Sequence, residues 1–394
     1  MTLTGLMCIS GILLLLCVFA NRISDNFGIP ALLLFLALGM LAGSDGPGGI
    51  QFYDAKLSNY IGTIALSMIL FSGGLETLWS EVKNVAARGS VLSTLGVFLT
   101  ALFMYISTYY ILGLSFEVSL LLSVIVSSTD APAVFAIMRS HKAELKSGLK
   151  PILEFESGSN DPMAVLLSMG AITYLSQPEF NLPDILQSFF RQMSLGLLIG
   201  FLLGRLAGYT LKRWSLSYAG LYPVFGVGLV LTTFGIAELL GGNGFLAVYL
   251  CGIFLGNTVF LHRRQMIRFH DSLAWIAQIG MFLILGLLVN PHELGEVIWI
   301  GLGCAVFLMF VARPLAVFAC LARSKFDTKE KFFISWAGLK GAVPIILATY
   351  PMMIQFPNSQ FLFNLIFFLV IISVLFQGKT LAPLAKWLKL DKKD

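Results

Sequence analysis

Val126-Ser127-Ser128-Thr129-Asp130-Ala131-Pro132-Ala133-Val134-Phe135 puts a carboxylate and a proline at the centre of an otherwise apolar run. Two more segments of the chain have the same character. Glu154 to Val165 (EFESGSNDPMAV) carries Asp161, and Trp336 to Leu347 (WAGLKGAVPIIL) carries Lys340 and Pro344. A charge at the centre of a bilayer costs several kcal/mol, so such residues face a partner or a watery path and mark function. Irregular backbone at that depth survives only where protein or a polar cavity satisfies the freed groups. Charge beside interrupted helix, twice in one chain, points to ion transport.

The surrounding composition makes the bilayer the right frame. The chain has 394 residues, 57% hydrophobic and 12% charged, with a mean hydropathy of +0.85. Soluble domains carry about 25% charged residues. Apolar runs of about 20 residues, enough to span the hydrocarbon as helix, recur along the whole length. The alternating segments of a transmembrane barrel are not found. Cys8, Cys17, Cys251, Cys304 and Cys320 lie in apolar runs without paired spacing and read as small core hydrophobes. His141, His262, His270 and His292 fall at segment ends and read as interfacial. The net charge of +5 implies no nucleic-acid partner, because its placement is explained by topology. No cofactor is implied. Residues 3–20 lack a basic leader and a good cleavage site, so they read as a retained first helix.

We place about thirteen spans, at 3–20, 28–43, 57–75, 90–113, 117–138, 149–175, 186–212, 218–240, 242–259, 268–290, 295–322, 332–354 and 361–385. The basic residues check this count. The odd-numbered loops carry Arg22; Lys83 and Arg88; Arg139, Lys142, Lys146 and Lys150; Lys212 and Arg213; Arg263, Arg264 and Arg268; and Arg323, Lys325, Lys329 and Lys331. The even-numbered loops carry only Lys56. Cytoplasmic loops are the basic ones, so the expectation is an external N-terminus and a cytoplasmic C-terminus. The tail, with Lys386, Lys389, Lys392 and Lys393, agrees. At about 1.5 Å per residue, Asp130, Asp161 and Lys340 all fall near the midplane. The interrupted spans, five and twelve, are seven apart and so run in opposite directions. That fits an inverted repeat, one to six matched to eight to thirteen, in which paired broken helices point to a transporter's site.

On span six, Glu154, Ser157 and Asp161 share one helix face, and Glu156 and Asn160 share the adjacent one. A carboxylate held from water without a partner can alternate between a proton and a dehydrated monovalent cation; the alternative is a buried polar network that locks helices together, for which Asn, Ser or Gln would serve at less cost than Asp161. On span five, Thr129, Asp130 and the carbonyls freed by Pro132 are hard oxygen ligands. Asp130 can bind a cation, or neutralise half-helix N-termini through the helix dipole, which we favour. On span twelve, Gly338, Gly341 and Pro344 bracket Lys340. A buried cation needs an anion, and Glu156 is the candidate, either as a structural pair or in the proton step. Arg205 and Arg313 lie near cytoplasmic ends and read as snorkelling. Glu76 and Glu81 read as interfacial, and Glu238 as near the outer end of span eight. Gly196, Gly200, Gly204 and Gly208 read as helix packing.

On these residues the chain resembles the monovalent cation:proton antiporter family, in its NhaP branch. Thr129-Asp130-x-Pro132 resembles the family's motif on the unwound fifth helix, and Glu156-Ser157-x-x-Asn160-Asp161 its ESxxND motif on the sixth. ESGSNDPMAV (156–165) and GLKGAVPIILATYP (338–351) look most like the potassium/proton antiporters. The resemblance covers essentially the whole chain. It implies an all-α polytopic membrane protein of about thirteen helices, an NhaA-like antiporter fold with helices five and twelve broken and crossing.

It also implies Asp161 as the ion- and proton-binding carboxylate, with Thr129 and Ser157 adding oxygens for the monovalent cation. Asp130 would stabilise the crossed helices, and Glu156, Asn160 and Lys340 the core. Residues 1–89 and 218–294 would be scaffold and dimerisation helices, 90–175 and 295–394 the transport core with a short tail, and 176–217 the linker helix. The implied protein is a homodimer in the cell (inner) membrane, exchanging K+ or Na+ for H+ by an elevator movement, and is not an enzyme. Most members of that branch carry arginine where this chain has Lys340. Lysine can lose its proton when buried and arginine does not, which leaves the stoichiometry open. Related potassium/proton antiporters carry cytoplasmic domains after the last helix, so a sequence ending at Asp394 is either naturally short or part of a longer chain. The alternatives are a sodium-coupled organic-anion symporter of the same fold plan, and an intramembrane aspartyl protease built on Asp130 and Asp161. The protease would need a YD…GxGD arrangement, which the sequence does not show.

Overall fold

The computed structural model describes residues 2–27, 30–141, 145–146, 148–177 and 182–391. Gly28, at the start of the second expected span, and the basic residues Lys142, Lys392 and Lys393 lie outside the described residues. The elements are helical apart from two isolated β-bridges. In chain order they are α1 Leu3–Phe27, α2 Ala31–Ala42 and α3 Ala55–Glu76. Next come α4 Ala86–Ile111 and the pair α5 Phe116–Ile125 and α6 Ala131–Ser140. Then follow α7 Leu149–Ser176, α8 Leu182–Arg213, α9 Leu221–Leu239, α10 Gly244–Gly256 and α11 Arg263–Leu287. The chain closes with α12 Pro291–Cys320, the pair α13 Thr328–Trp336 and α14 Ala342–Met353, and α15 Ser359–Trp387. Among the described residues eight helices are long and apolar enough to cross a membrane.

Short polar side chains start these helices where the sequence supplies them. Asp54 accepts from the Leu57 N–H, Ser115 from Val118, and Asn243 from Leu246. Asp327 and Glu330 close a full capping box. Each satisfies amide groups that the first helical turn leaves free. Gly241, at φ +76°, turns the chain between α9 and α10. The four-residue glycine spacing of α8 serves packing: a Cβ at Gly196, Gly200 or Gly204 would run into the backbone of Asn243, Ala247 or Cys251. On its other side α10 lies equally close to α3, with Gly252 and Gly256 against Phe71 and Leu75. α10 is thus held between two helices at backbone contact.

The fifth and twelfth expected spans are interrupted, at 126–130 and 337–341. Both prolines lie just beyond the break rather than in it. Pro132 is the second residue of α6 and Pro344 the third of α14. In a first turn the missing N–H has no helical partner to lose. The unwound segments meet directly, where the Asp130 N–H donates to the Leu339 carbonyl at 2.8 Å. His270 departs from its interfacial reading. It lies buried within α11, edge-on to Phe71 at 5.1 Å, with Nδ1 on the Met266 carbonyl.

Candidate ion-binding site

α7 supplies the polar face of the site. Ser157 Oγ donates to the Thr129 carbonyl at 2.9 Å and accepts from the Ala131 N–H at 3.0 Å. One hydroxyl therefore pins both sides of Asp130. Asn160 Nδ2 donates to Thr129 Oγ1 at 2.6 Å, and Asn160 Oδ1 accepts from the Thr129 N–H at 3.4 Å. These bonds replace the intrahelical ones that the break removes. Asp130 Oδ1 caps α6, accepting from the Ala133 N–H at 3.0 Å. Its carboxylate also lies against Gly341, where a Cβ would overlap it. The glycine before α14 is what lets the acid approach the second break.

Lys340 and Glu156 do not form the expected pair. Lys340 Nζ donates to the Ser128 carbonyl at 2.7 Å, and its backbone N–H to Ser373 Oγ at 3.1 Å. Glu156 pairs instead with Arg313, whose Nη2 donates to Glu156 Oε1, both side chains being 1% exposed. Arg313 therefore does not snorkel. It follows directly on the π-helical turn Leu308–Ala312 of α12, and its guanidinium lies against Gly338, where a Cβ would overlap it. Glu156 and Arg313 offset each other's charge away from water, while Glu156 Oε2 and Arg313 Nε and Nη1 have no hydrogen-bond partner among the described residues. Asn160 takes no part in that pair; its amide serves Thr129.

Asp161 stands apart from these networks. It is buried, yet Oδ1 has no hydrogen-bond partner among the described residues. With Ser157 and Asp130 it lines a cavity of about 510 Å³, whose wall also includes Glu76, Arg139 and Lys150. Thr129 is not in the wall; its hydroxyl and carbonyl are turned to Asn160 and Ser157. A free carboxylate oxygen beside a hydroxyl, reached through a cavity, can take either a proton or a hard monovalent cation. The one carboxylate neutralises one of them at a time.

The sequence reading misjudged Arg313, taken as snorkelling, and passed over Tyr249. For Arg313 the signal was present, a charge inside Leu308 to Leu315, and was set aside because the residue lies near a segment end. For Tyr249, buried in the wall of the same cavity, an aromatic in an apolar run gives no signal.

Residues 11–387 match the family described as sodium/hydrogen exchanger, transmembrane. The chain is 42% identical over 381 residues to the K(+)/H(+) antiporter NhaP of Alkalimonas amylolytica, covering 97% of this chain and 66% of that protein. It is 39% identical over 386 residues to the K(+)/H(+) antiporter NhaP2 of Shewanella sp. (strain ANA-3), covering 97% and 67%. The chain thus spans about two thirds of the length of these relatives. Its fold matches the sodium proton antiporter MjNhaP1 from Methanocaldococcus jannaschii, with a TM-score of 0.83 at 21% identity over 96% of this chain and 100% of that one. With its many helices apt for a membrane, its antiporter fold and its near-complete match, the chain is an integral membrane protein that belongs to the sodium/hydrogen exchanger family.

Proposed function

We propose that the chain is a secondary active antiporter that exchanges protons for a monovalent cation, K+ before Na+, at Asp161. One observation carries this reading: the Asp161 oxygen is buried without a partner at the wall of a cavity. A buried acceptor is almost always satisfied, so its partner is expected to be the transported species. Proton and cation each neutralise one charge, and they compete for that one oxygen. The preference for K+ rests on the relatives, whose names specify K(+)/H(+) antiport.

In this reading Asp130, Thr129, Asn160 and Ser157 hold the crossed breaks open around the site, while Ser157 also offers its hydroxyl to the ion. The thirteen crossings form an inverted repeat with an external N-terminus and a cytoplasmic C-terminus, and Arg139 and Lys150 put the cavity on the cytoplasmic side by the positive-inside rule. Residues 90–175 and 295–394 move as the core, against residues 1–89 and 218–294 of a homodimer, with 176–217 linking the halves. With one carboxylate at the site, exchange is electroneutral, one proton per cation, provided that Lys340, whose Nζ donates to a neutral carbonyl, keeps its proton through the cycle.

Fluorescence measurement of pH-gradient dissipation in proteoliposomes, with potassium, sodium and lithium compared, tests the reading. Dissipation by potassium, weaker with sodium and absent with lithium, is expected. No cation-dependent dissipation, or counterflow of an organic anion instead, would overturn it.

A further inference from the structure

α10 meets the Asp161 helix at two points, one on either side of the acid. Asn243 Nδ2 donates to the Pro162 carbonyl at 3.2 Å. Tyr249 lays its ring over Gly158, where a Cβ would overlap it. Gly158 and Asp161 are three residues apart on α7 and so share a face. Tyr249 is only 2% exposed, and its hydroxyl has no hydrogen-bond partner among the described residues. Thr77 lies near that hydroxyl and donates its own proton to the Gly73 carbonyl at 2.7 Å, so toward Tyr249 it can act only as an acceptor; Glu154, in the wall of the same cavity, also faces Tyr249. A buried phenol normally finds a partner. Here two buried polar groups without partners, Tyr249 Oη and Asp161 Oδ1, belong to side chains lining one cavity.

We propose that Tyr249 is a positioning residue of the transport site, its hydroxyl donating to the Asp161 carboxylate directly or through one water of the cavity, while leaving a lone pair of the free oxygen for the proton or the cation. The inference rests on the antiporter reading above and deepens it. A hydrogen bond donated to a carboxylate favours its charged form over its protonated form. Tyr249 thereby biases the competition at Asp161 toward the cation. The donor comes from α10 rather than from the helices that build the crossed breaks.

Tyr249→Phe removes the hydroxyl and leaves the ring on Gly158. The apparent KM for potassium is expected to rise about tenfold to a hundredfold, the scale of one hydrogen bond to a charged group, with kcat within about twofold. The rise is largest at acid pH and fades at alkaline pH, where protons no longer compete. A ring that only fills space predicts no change in KM at any pH, and that result would overturn the inference. Thermal stabilisation by potassium reads the same competition without transport: its midpoint concentration should rise in Tyr249→Phe, and equal midpoints at acid pH overturn the proposal. Failure of the unmodified protein to exchange any cation refutes the antiporter reading. An exchanging protein with a silent Tyr249→Phe refutes only the role of Tyr249.

Discussion

Lys340 Nζ donates to the carbonyl of Ser128 at 2.7 Å, so the one lysine of the second break ties down the backbone of the first. With the Asp130 N–H on the Leu339 carbonyl, the bond runs from each break to the other. The crossing is held reciprocally.

Lys340→Met keeps most of the side chain's volume and removes the donor. The Ser128 carbonyl is then buried and unpaired, a loss of about 1–3 kcal/mol, read as a lowered melting temperature in detergent. Lys340→Arg keeps a donor that never deprotonates and is expected to retain exchange. Under an imposed membrane potential with no ion gradient, no potassium-dependent proton movement is expected. Such movement, lost in Lys340→Arg, would instead identify the lysine as a second proton carrier.

Arg313→Met strands Glu156 as a buried, unpaired charge. The expected cost is about 3–5 kcal/mol, and adding Glu156→Gln should recover much of it. A double-mutant cycle on thermal or denaturant unfolding measures the coupling. A coupling near zero would contradict the pair.

The sequence showed many apolar spans because a bilayer imposes them on every crossing segment. Apolar length and the alternation of basic loops are read residue by residue, and the break positions follow from Pro132, Gly338, Gly341 and Pro344. The partnerships were harder to read. Glu156 and Arg313 are 157 residues apart, and no local period links them. Lys340 attracted the expectation of a carboxylate because a buried cation needs compensation, yet an unwound backbone offers carbonyls that a helix would not. Tyr249 was invisible for a different reason: its significance lies in a hydroxyl without a partner, which only coordinates reveal.

Gly341→Ala introduces a Cβ that overlaps the Asp130 carboxylate. Overpacking there is expected to cost about 1–3 kcal/mol and to depress transport by parting the two breaks. Gly228→Ala, in α9 with open space around it, serves as control and should be neutral to stabilising within about 1 kcal/mol. Equal behaviour of the two variants would contradict the close approach.

In a cysteine-free background, Lys325→Cys is expected to be labelled by an impermeant reagent only from the cytoplasm, and Pro357→Cys only from outside. Both positions are exposed, so labelling reports sidedness rather than burial. The reverse pattern at either position would overturn the proposed topology.

Asp161→Asn tests the central claim. Asparagine keeps the size and polarity of the side chain but cannot alternate between proton and cation. In proteoliposomes, with folding checked by melting temperature, potassium-driven dissipation of a pH gradient should fall to the level of empty vesicles. Robust cation-dependent proton flux in the purified, folded variant would contradict the assignment of Asp161 as the exchanging carboxylate.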